Sequence, residues 1–313
     1  MGWFRKHLKW IDRPKNKKAR SRVAFFKAYP WHSYLLEPVA SKLFSKVDLC
    51  AAEYGRDLIS FAHDVIVVAD AGVIPFLKKH IPQATYIHIC HGLISKKQPF
   101  YSYSHADYIC VSSDYIAYHL QARGCSPLKQ FWPIGLPMMN LVSLNASTPR
   151  TSPLTLLYAP TWNPGLSSAE IFSKRLIECL RGPHETWSIL IKPHPHSFKE
   201  SPEWIKLWRE LSQTHPHVAL IDEEQDLACY IPKADMMISD TSSAPFLFLS
   251  VNRPILLLQN PQALNDPQTY DPQGIEWQWK EMTYEVFQPE EVYPTIEHIL
   301  SQGDPKYALR KEY

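Results

Sequence analysis

Short apolar runs, each about as long as one buried strand, alternate with helical patterns along most of this chain. That alternation is the tightest constraint on its fold. From Arg22 the order is strand "VAFFKAY", helix "HSYLLEPVASKLFSK", strands "VDLCAAE" and "DVIVVAD", helix "AGVIPFLKKHI" and strand "ATYIHIC". Strand "DYICVSS" and helix "DYIAYHLQARG" follow, with Gly124 as the C′ residue of the helix, and "KQFWPIG" finishes the half. Strands separated by helices predict a parallel, doubly wound sheet.

Residues 137–153, "PMMNLVSLNASTPRTSP", lose periodicity and gain proline and polar residues, which marks a linker. The pattern then restarts. Strands are expected at "LTLLYAP", "WSILIKP", "HVALIDE", "DMMISD" and "RPILLLQ". Helices are expected at "SAEIFSKRLIECLRG", "PEWIKLWRELSQ", "QDLACYIPKA", "SSAPFLFLSV" and "PEEVYPTIEHILSQ". The fold class is therefore α/β, with two tandem Rossmann-like doubly wound domains. The arrangement resembles the GT-B architecture, in which an interdomain cleft faces the carboxyl ends of the strands. The expected division is a tail over 1–21 and Rossmann-like domains over 22–140 and 141–313.

The bulk composition agrees. The 313 residues suffice for two domains of roughly 150 each, and 45% hydrophobic with 20% charged is ordinary for a globular protein. Prolines such as Pro133, Pro160, Pro193, Pro195 and Pro254 fall at element ends, so they punctuate loops. The six cysteines are scattered with no CxxC pair, which points to reduced structural thiols in a cytosolic protein. No apolar run approaches the roughly 20 residues that span a bilayer. The N-terminus lacks the apolar core of a signal peptide.

Net charge is +2, but residues 1–22 carry nine Lys and Arg against Asp12 alone. Within this tail Trp3, Phe4, Leu8 and Ile11 share a helical face, Arg5, Lys6 and Lys9 turn mostly elsewhere, and Pro14 ends the helix. Tryptophan beside lysine suits an interfacial helix on anionic lipid. A solvated tail, or a helix packed on the body, is the plainer reading. Nothing downstream supports a nucleic-acid partner.

Ligands of such folds gather at carboxyl strand ends, and four places there carry chemistry. After "ATYIHIC", His91 could act as a general base, Gly92 lets backbone approach a ligand, and Lys96 could meet a phosphate. After "LTLLYAP", Thr161 could cap the next helix or bond a phosphate, and Trp162 could pack between the domains. After "WSILI", Lys192, His194 and His196 suit an anion. Zinc is the competitor for the two histidines, but a third and fourth ligand at recognisable spacing are missing. After "DMMIS", Asp240 is followed by Thr241, Ser242 and Ser243 at a helix start, where amides and hydroxyls favour an anion. There is no GxGxxG, P-loop, GxSxG or DxD-type acidic pair after a strand. Dinucleotide redox, Walker-type ATP use and metal-bridged diphosphate chemistry therefore lack support, and neither a metal nor a cofactor is expected.

Taken in order, "HG" with Lys96, "YAPTW", "IKPHP" and "SDTSS" resemble the CDP-glycerol glycerophosphotransferase family of teichoic-acid and capsule-type enzymes. The likeness covers roughly residues 85–260, and "RPILLL" fits the strand that follows the family's D-x-S-S helix. The resemblance implies transfer of glycerol phosphate from CDP-glycerol, or a related nucleotide donor, to a polysaccharide or lipid-linked acceptor. The first domain would take the acceptor and the second the donor. His91 would be the base, and His194 would bind or protonate the departing diphosphate. Ser242 and Ser243 would hold the nucleotide phosphates, and Asp240 would tune His194 or orient a donor group. Gly92, Lys96, Thr161, Lys192 and Thr241 complete the expected contacts. The chain departs from the family pattern at Thr241, where an aromatic residue is usual, and at Asn163, where arginine is frequent. It would work in the cytoplasm, peripheral on the inner face of the membrane.

Two other readings fit the same strand ends: a GT-B glycosyltransferase or 2-epimerase using a UDP-sugar, and a non-catalytic nucleotide-binding homologue. The tail yields a separate expectation. Deleting residues 1–20 should reduce sedimentation with anionic liposomes while sparing turnover on a soluble acceptor analogue, and unchanged sedimentation would remove the membrane-surface claim.

Overall fold

The structure, a computed structural model, describes residues 21–29, 31–43, 46–52, 58–59, 63–90, 92, 101–139, 142, 153–180, 187–265, 271–272 and 274–312. The chain divides into two compact units, the second running from Leu141 to the C-terminus apart from a short excursion. Each holds one six-stranded sheet, and every strand pairing in both is parallel.

In the first unit the strands are β1 (Arg22–Phe26), β2 (Asp48–Ala52), β3 (Val65–Val68), β4 (Thr85–Ile89), β5 (Tyr108–Val111) and β6 (Gln130–Pro133). Helices α1 (His32–Leu43), α2 (Ile74–His80) and α3 (Asp114–Ala122) connect them. The sheet order is β2-β1-β3-β4-β5-β6. The first five strands stand where the apolar runs predict, and β6 falls within "KQFWPIG". Helix α3 is capped by Ser113, whose hydroxyl accepts from the Ile116 N–H. It ends at Gly124, whose φ of 80° is the left-handed value expected of a C′ glycine.

In the second unit β7 (Thr155–Ala159), β8 (Ser188–Ile191), β9 (Val218–Leu220), β10 (Met236–Ser239), β11 (Ile255–Leu258) and β12 (Tyr284–Val286) form the sheet. Its helices are α4 (Ala169–Leu180), α5 (Ser197–Glu200), α6 (Pro202–Thr214), α7 (Ala244–Phe248), α8 (Ile275–Gln278), α9 (Val292–Gln302) and α10 (Tyr307–Glu312). The order β9-β8-β7-β10-β11-β12 places the reversal of strand order between β7 and β10. In open α/β sheets the carboxyl end of that crevice is where ligands bind. The core is built on Trp208, Tyr158 and Phe172, all buried, with the Trp208 indole N–H bonded to Ser173 Oγ at 2.9 Å.

The structure departs from the sequence expectation at several elements. "QDLACYIPKA" is not a helix but two 3-10 turns, Leu227–Cys229 and Ile231–Lys233. Pro232 lacks the N–H an α-helix would need there, and Asp226 caps the first turn through the Ala228 N–H at 2.7 Å. "SSAPFLFLSV" is α-helical for only five residues before tightening to a 3-10 turn. The edge strand β12 and helix α10 were not expected; β12 is three residues long and too short to show a pattern.

Candidate active site

Four loops of the second unit leave the carboxyl edge of its sheet side by side, after β11, β10, β7 and β8. Asp240 follows β10 at the reversal of strand order. It is 3% exposed, and both carboxylate oxygens accept hydrogen bonds from the loop after β7. Oδ1 accepts from the Thr161 N–H at 2.9 Å. Oδ2 accepts from the Ser168 N–H at 2.8 Å and from the Ser168 hydroxyl at 2.9 Å. With its own proton turned to Asp240, Ser168 Oγ accepts from the buried Tyr158 hydroxyl at 3.1 Å.

Ser168 immediately precedes α4, so Asp240 supplies a negative charge at that helix's N-terminus. The Asp240 oxygens tie the 160–168 loop to β10. Thr161 does not cap the helix that follows it. It is buried, its N–H belongs to Asp240, and α4 begins only at Ala169, where the hydroxyl of Ser167 accepts from the Ala169 N–H at 3.1 Å.

The rest of that loop is organised from two further sides. Asn163 Oδ1 accepts from the Gly165 N–H at 3.0 Å, and its carbonyl accepts from Leu166 and Ser167. Asn163 is thus a turn former. Asn260, after β11, donates Nδ2–H to the carbonyls of Pro164 at 3.3 Å and Ser167 at 3.1 Å. Neither Ser168 nor Asn260 stood out in the sequence. The only advance signal was the S-x-x-E pattern Ser167–Glu170 ahead of an apolar run, which reads as a helix start.

After β8 the chain turns sharply. The Ser197 N–H bonds to the His194 carbonyl at 2.8 Å, and Pro193 and Pro195 fix φ on either side of His194. His194 Nδ1 accepts from the main-chain N–H of His196 at 3.2 Å. The neutral ring therefore carries its proton on Nε2. The two imidazoles lie stacked, centroids 5.2 Å apart and planes 22° from parallel. The Trp162 indole stands 5.4 Å from the His196 ring and 6.4 Å from the His194 ring. Among the described residues no group of three or more His, Cys, Asp or Glu side chains could hold a metal ion.

Lys192 is held within the protein. It is 5% exposed, and Nζ donates to the Pro193 carbonyl at 3.1 Å. Burial pushes its ammonium from 10.5 down to about 8, while Asp226, Asp222 and Glu223 pull it partly back. Burial also raises the Asp226 carboxyl, against the bond from Ala228 and the charge of Lys192. The lysine thus links β8 electrostatically to the loop after β9.

Thr241 is buried, and Ser242 and Ser243 are half-buried. Ser242 Oγ accepts from the Ala244 N–H at 3.2 Å, which leaves its hydroxyl proton available to a ligand. Ser243 caps α7 without a side-chain bond. Five α-helical residues sum to a small dipole, so the hydroxyls rather than the helix must carry any anion contact there. In the first unit Gly92 is half-buried just beyond β4. His91 and Lys96 lie outside the described residues, as does the tail 1–20.

A family model described as CDP-glycerol:poly(glycerophosphate) glycerophosphotransferase matches residues 84–270. No curated protein matches the chain in sequence. Among solved structures, the wall teichoic acid polymerase TagF is similar with a TM-score of 0.67 at 14% identity, over 94% of this chain and 84% of that one. The S. aureus MnaA–UDP co-structure has a TM-score of 0.60 at 12% identity, over 93% and 90%. UDP-GlcNAc 2-epimerase from Neisseria meningitidis, bound to UDP-GlcNAc, has a TM-score of 0.56 at 14% identity, over 93% of each chain. These likenesses place the fold in the two-unit α/β class of GT-B type.

Two outcomes are expected. Replacing Asp240 by Asn sets an amide N–H₂ against donors that now meet a carboxylate, so the urea midpoint should fall by an amount worth about 1–3 kcal/mol; an unchanged midpoint would contradict the tether. The unfolded chain holds the Lys192 proton up to 10.5 and the folded one only to about 8. Over that window the unfolded state binds more protons, so wild type should gain stability relative to Lys192→Met as pH rises through it. A constant difference in urea unfolding across the window would refute this.

Proposed function

Since this chain belongs to the CDP-glycerol:poly(glycerophosphate) glycerophosphotransferase family, and is thereby a glycerophosphotransferase-like enzyme, we propose that it transfers glycerol phosphate from CDP-glycerol to a hydroxyl of a surface-polysaccharide or lipid-linked acceptor. In this reading the acceptor oxygen attacks the β-phosphorus in line. The bond from that phosphorus to the bridging oxygen breaks, CMP leaves, and a phosphodiester forms. His91 takes the proton of the attacking hydroxyl. Charge on the departing CMP is met by the Nε2–H of His194.

The observation that carries this reading is the bond from the His196 N–H to His194 Nδ1 at 3.2 Å. It puts the proton of the neutral ring on Nε2, at a carboxyl strand end one strand away from the reversal of strand order. Ser242 and Ser243, two strands along, would donate to the nucleotide phosphates. At strand spacings of about 4.8 Å, roughly 10 Å separates those two strands at the sheet, a span suited to a diphosphate and its substituent. Reaction at phosphorus of this kind depends mainly on positioning and on donors aimed at the charged oxygens. Asp240, Asn260 and Trp162 would act by holding the loops.

A membrane-bound acceptor would also give the basic, tryptophan-containing tail a purpose, holding the enzyme at an anionic lipid surface. The likeness to epimerases solved with UDP and UDP-GlcNAc favours one second reading, a UDP-sugar enzyme on the same fold.

Turnover is tested by CMP release from CDP-glycerol with a soluble acceptor. His194→Ala should lower it by about 10²–10⁴-fold without changing the melting temperature, and EDTA should leave it unaffected. Full CMP release by His194→Ala would end this assignment. Thermal stabilisation by UDP but by neither CMP nor CDP-glycerol would transfer it to the second reading.

A further inference from the structure

We propose that His196 is a positioning residue for His194, fixing both which nitrogen of that ring carries the proton and where the proton points. The inference rests on the reading of His194 as the group that meets departing CMP, and it deepens that reading.

An imidazole at the end of a strand has two freedoms that matter for donating a proton. It can exchange tautomers, and it can flip by half a turn about its Cβ–Cγ bond. A flip would put a carbon where Nε2 stands and remove the donor. The His196 main chain opposes both changes. Its N–H bonds to Nδ1 at 3.2 Å, which keeps that nitrogen bare, and the bond is lost if the ring flips. The turn itself is closed by the bond from Ser197 N–H to the His194 carbonyl at 2.8 Å and from Glu200 N–H to the His196 carbonyl at 2.9 Å.

The side chain adds a second restraint. Its ring covers one face of His194 at 5.2 Å and 22°, and is itself braced by Trp162 at 5.4 Å. Trp162 stands on the loop that Asp240 and Asn260 hold at both ends. Any residue except proline supplies the N–H, but only a flat ring supplies the stack. This gives the second histidine of the H-x-H pair a task that requires neither metal nor proton transfer.

Two measurements on the whole chain decide the matter. In imidazole ¹⁵N spectra of the wild type, with the His194 signals identified by their loss in His194→Ala, Nε2 should be protonated and Nδ1 bare. A proton on Nδ1 would overturn the proposal, and this readout holds even if a position-196 variant fails to fold. In CMP release from CDP-glycerol, His196→Ala should lower kcat by roughly 10–100-fold, the scale expected for a displacement of about 1 Å. KM for CDP-glycerol should stay near the wild-type value, as expected when the lost interaction matters only in the transition state. His196→Phe, which keeps a ring, should recover most of that loss. An undiminished kcat in His196→Ala, or His196→Phe as impaired as His196→Ala, would refute the positioning role. His194→Ala is scored separately: if it keeps turnover, the acid role of His194 fails, whatever the position-196 variants do.

Discussion

Both oxygens of the Asp240 carboxylate are taken up by the loop that leaves β7, and the strand ends of the second unit are arranged around that contact. A buried carboxylate is costly unless its lone pairs are filled. Here three donors fill them, two from the main chain and one from Ser168. Bonds to an ionised acceptor are stronger than neutral ones, and the α4 N-terminus adds a favourable field. The result is a fixed distance between β10 and the 160–168 loop, across the crevice where the strand order reverses. Trp162 is presented from that loop, and Asn260 holds its far side.

The charges at this edge are sparse and mostly internal. Asp240 is matched by main-chain donors, and Lys192 faces the Asp222–Asp226 segment with its amine buried. The groups proposed to meet an anion in the second unit are neutral donors, namely the imidazole of His194 and the hydroxyls of Ser242 and Ser243. Such donors stabilise charge without the desolvation cost that a buried cation carries. Their effect depends on aim, which explains why so many hydrogen bonds nearby serve to hold loops in place.

Most strands were readable because each is a short apolar run with a polar stop. Gly124 was readable for a similar local reason: a C′ residue needs a positive φ. The failures are equally physical. The segment from Gln225 to Ala234 carries a helical pattern, but Pro232 and the Asp226 cap favour 3-10 turns. Strand β12 is three residues long and is recognisable only through its pairing with β11. At the site, the sequence marked Thr161, Lys192 and Asp240 as polar residues at strand ends but did not show the loop contacts they make. A polar residue after a strand looks the same in sequence whether its side chain meets a ligand or a neighbouring loop.

The sequence alone thus determined most of the elements, the parallel character of the sheets and the resemblance to the family, because periodicity, turn chemistry and short motifs are local properties of the chain. Only the tertiary structure decided which polar groups hold one loop to another. Thr161 and Ser168 meet Asp240 across more than seventy residues of chain, and the two histidines meet Trp162 from a different strand. Hydrogen bonding depends on distance in space, and that distance is set by the order of strands in the sheet.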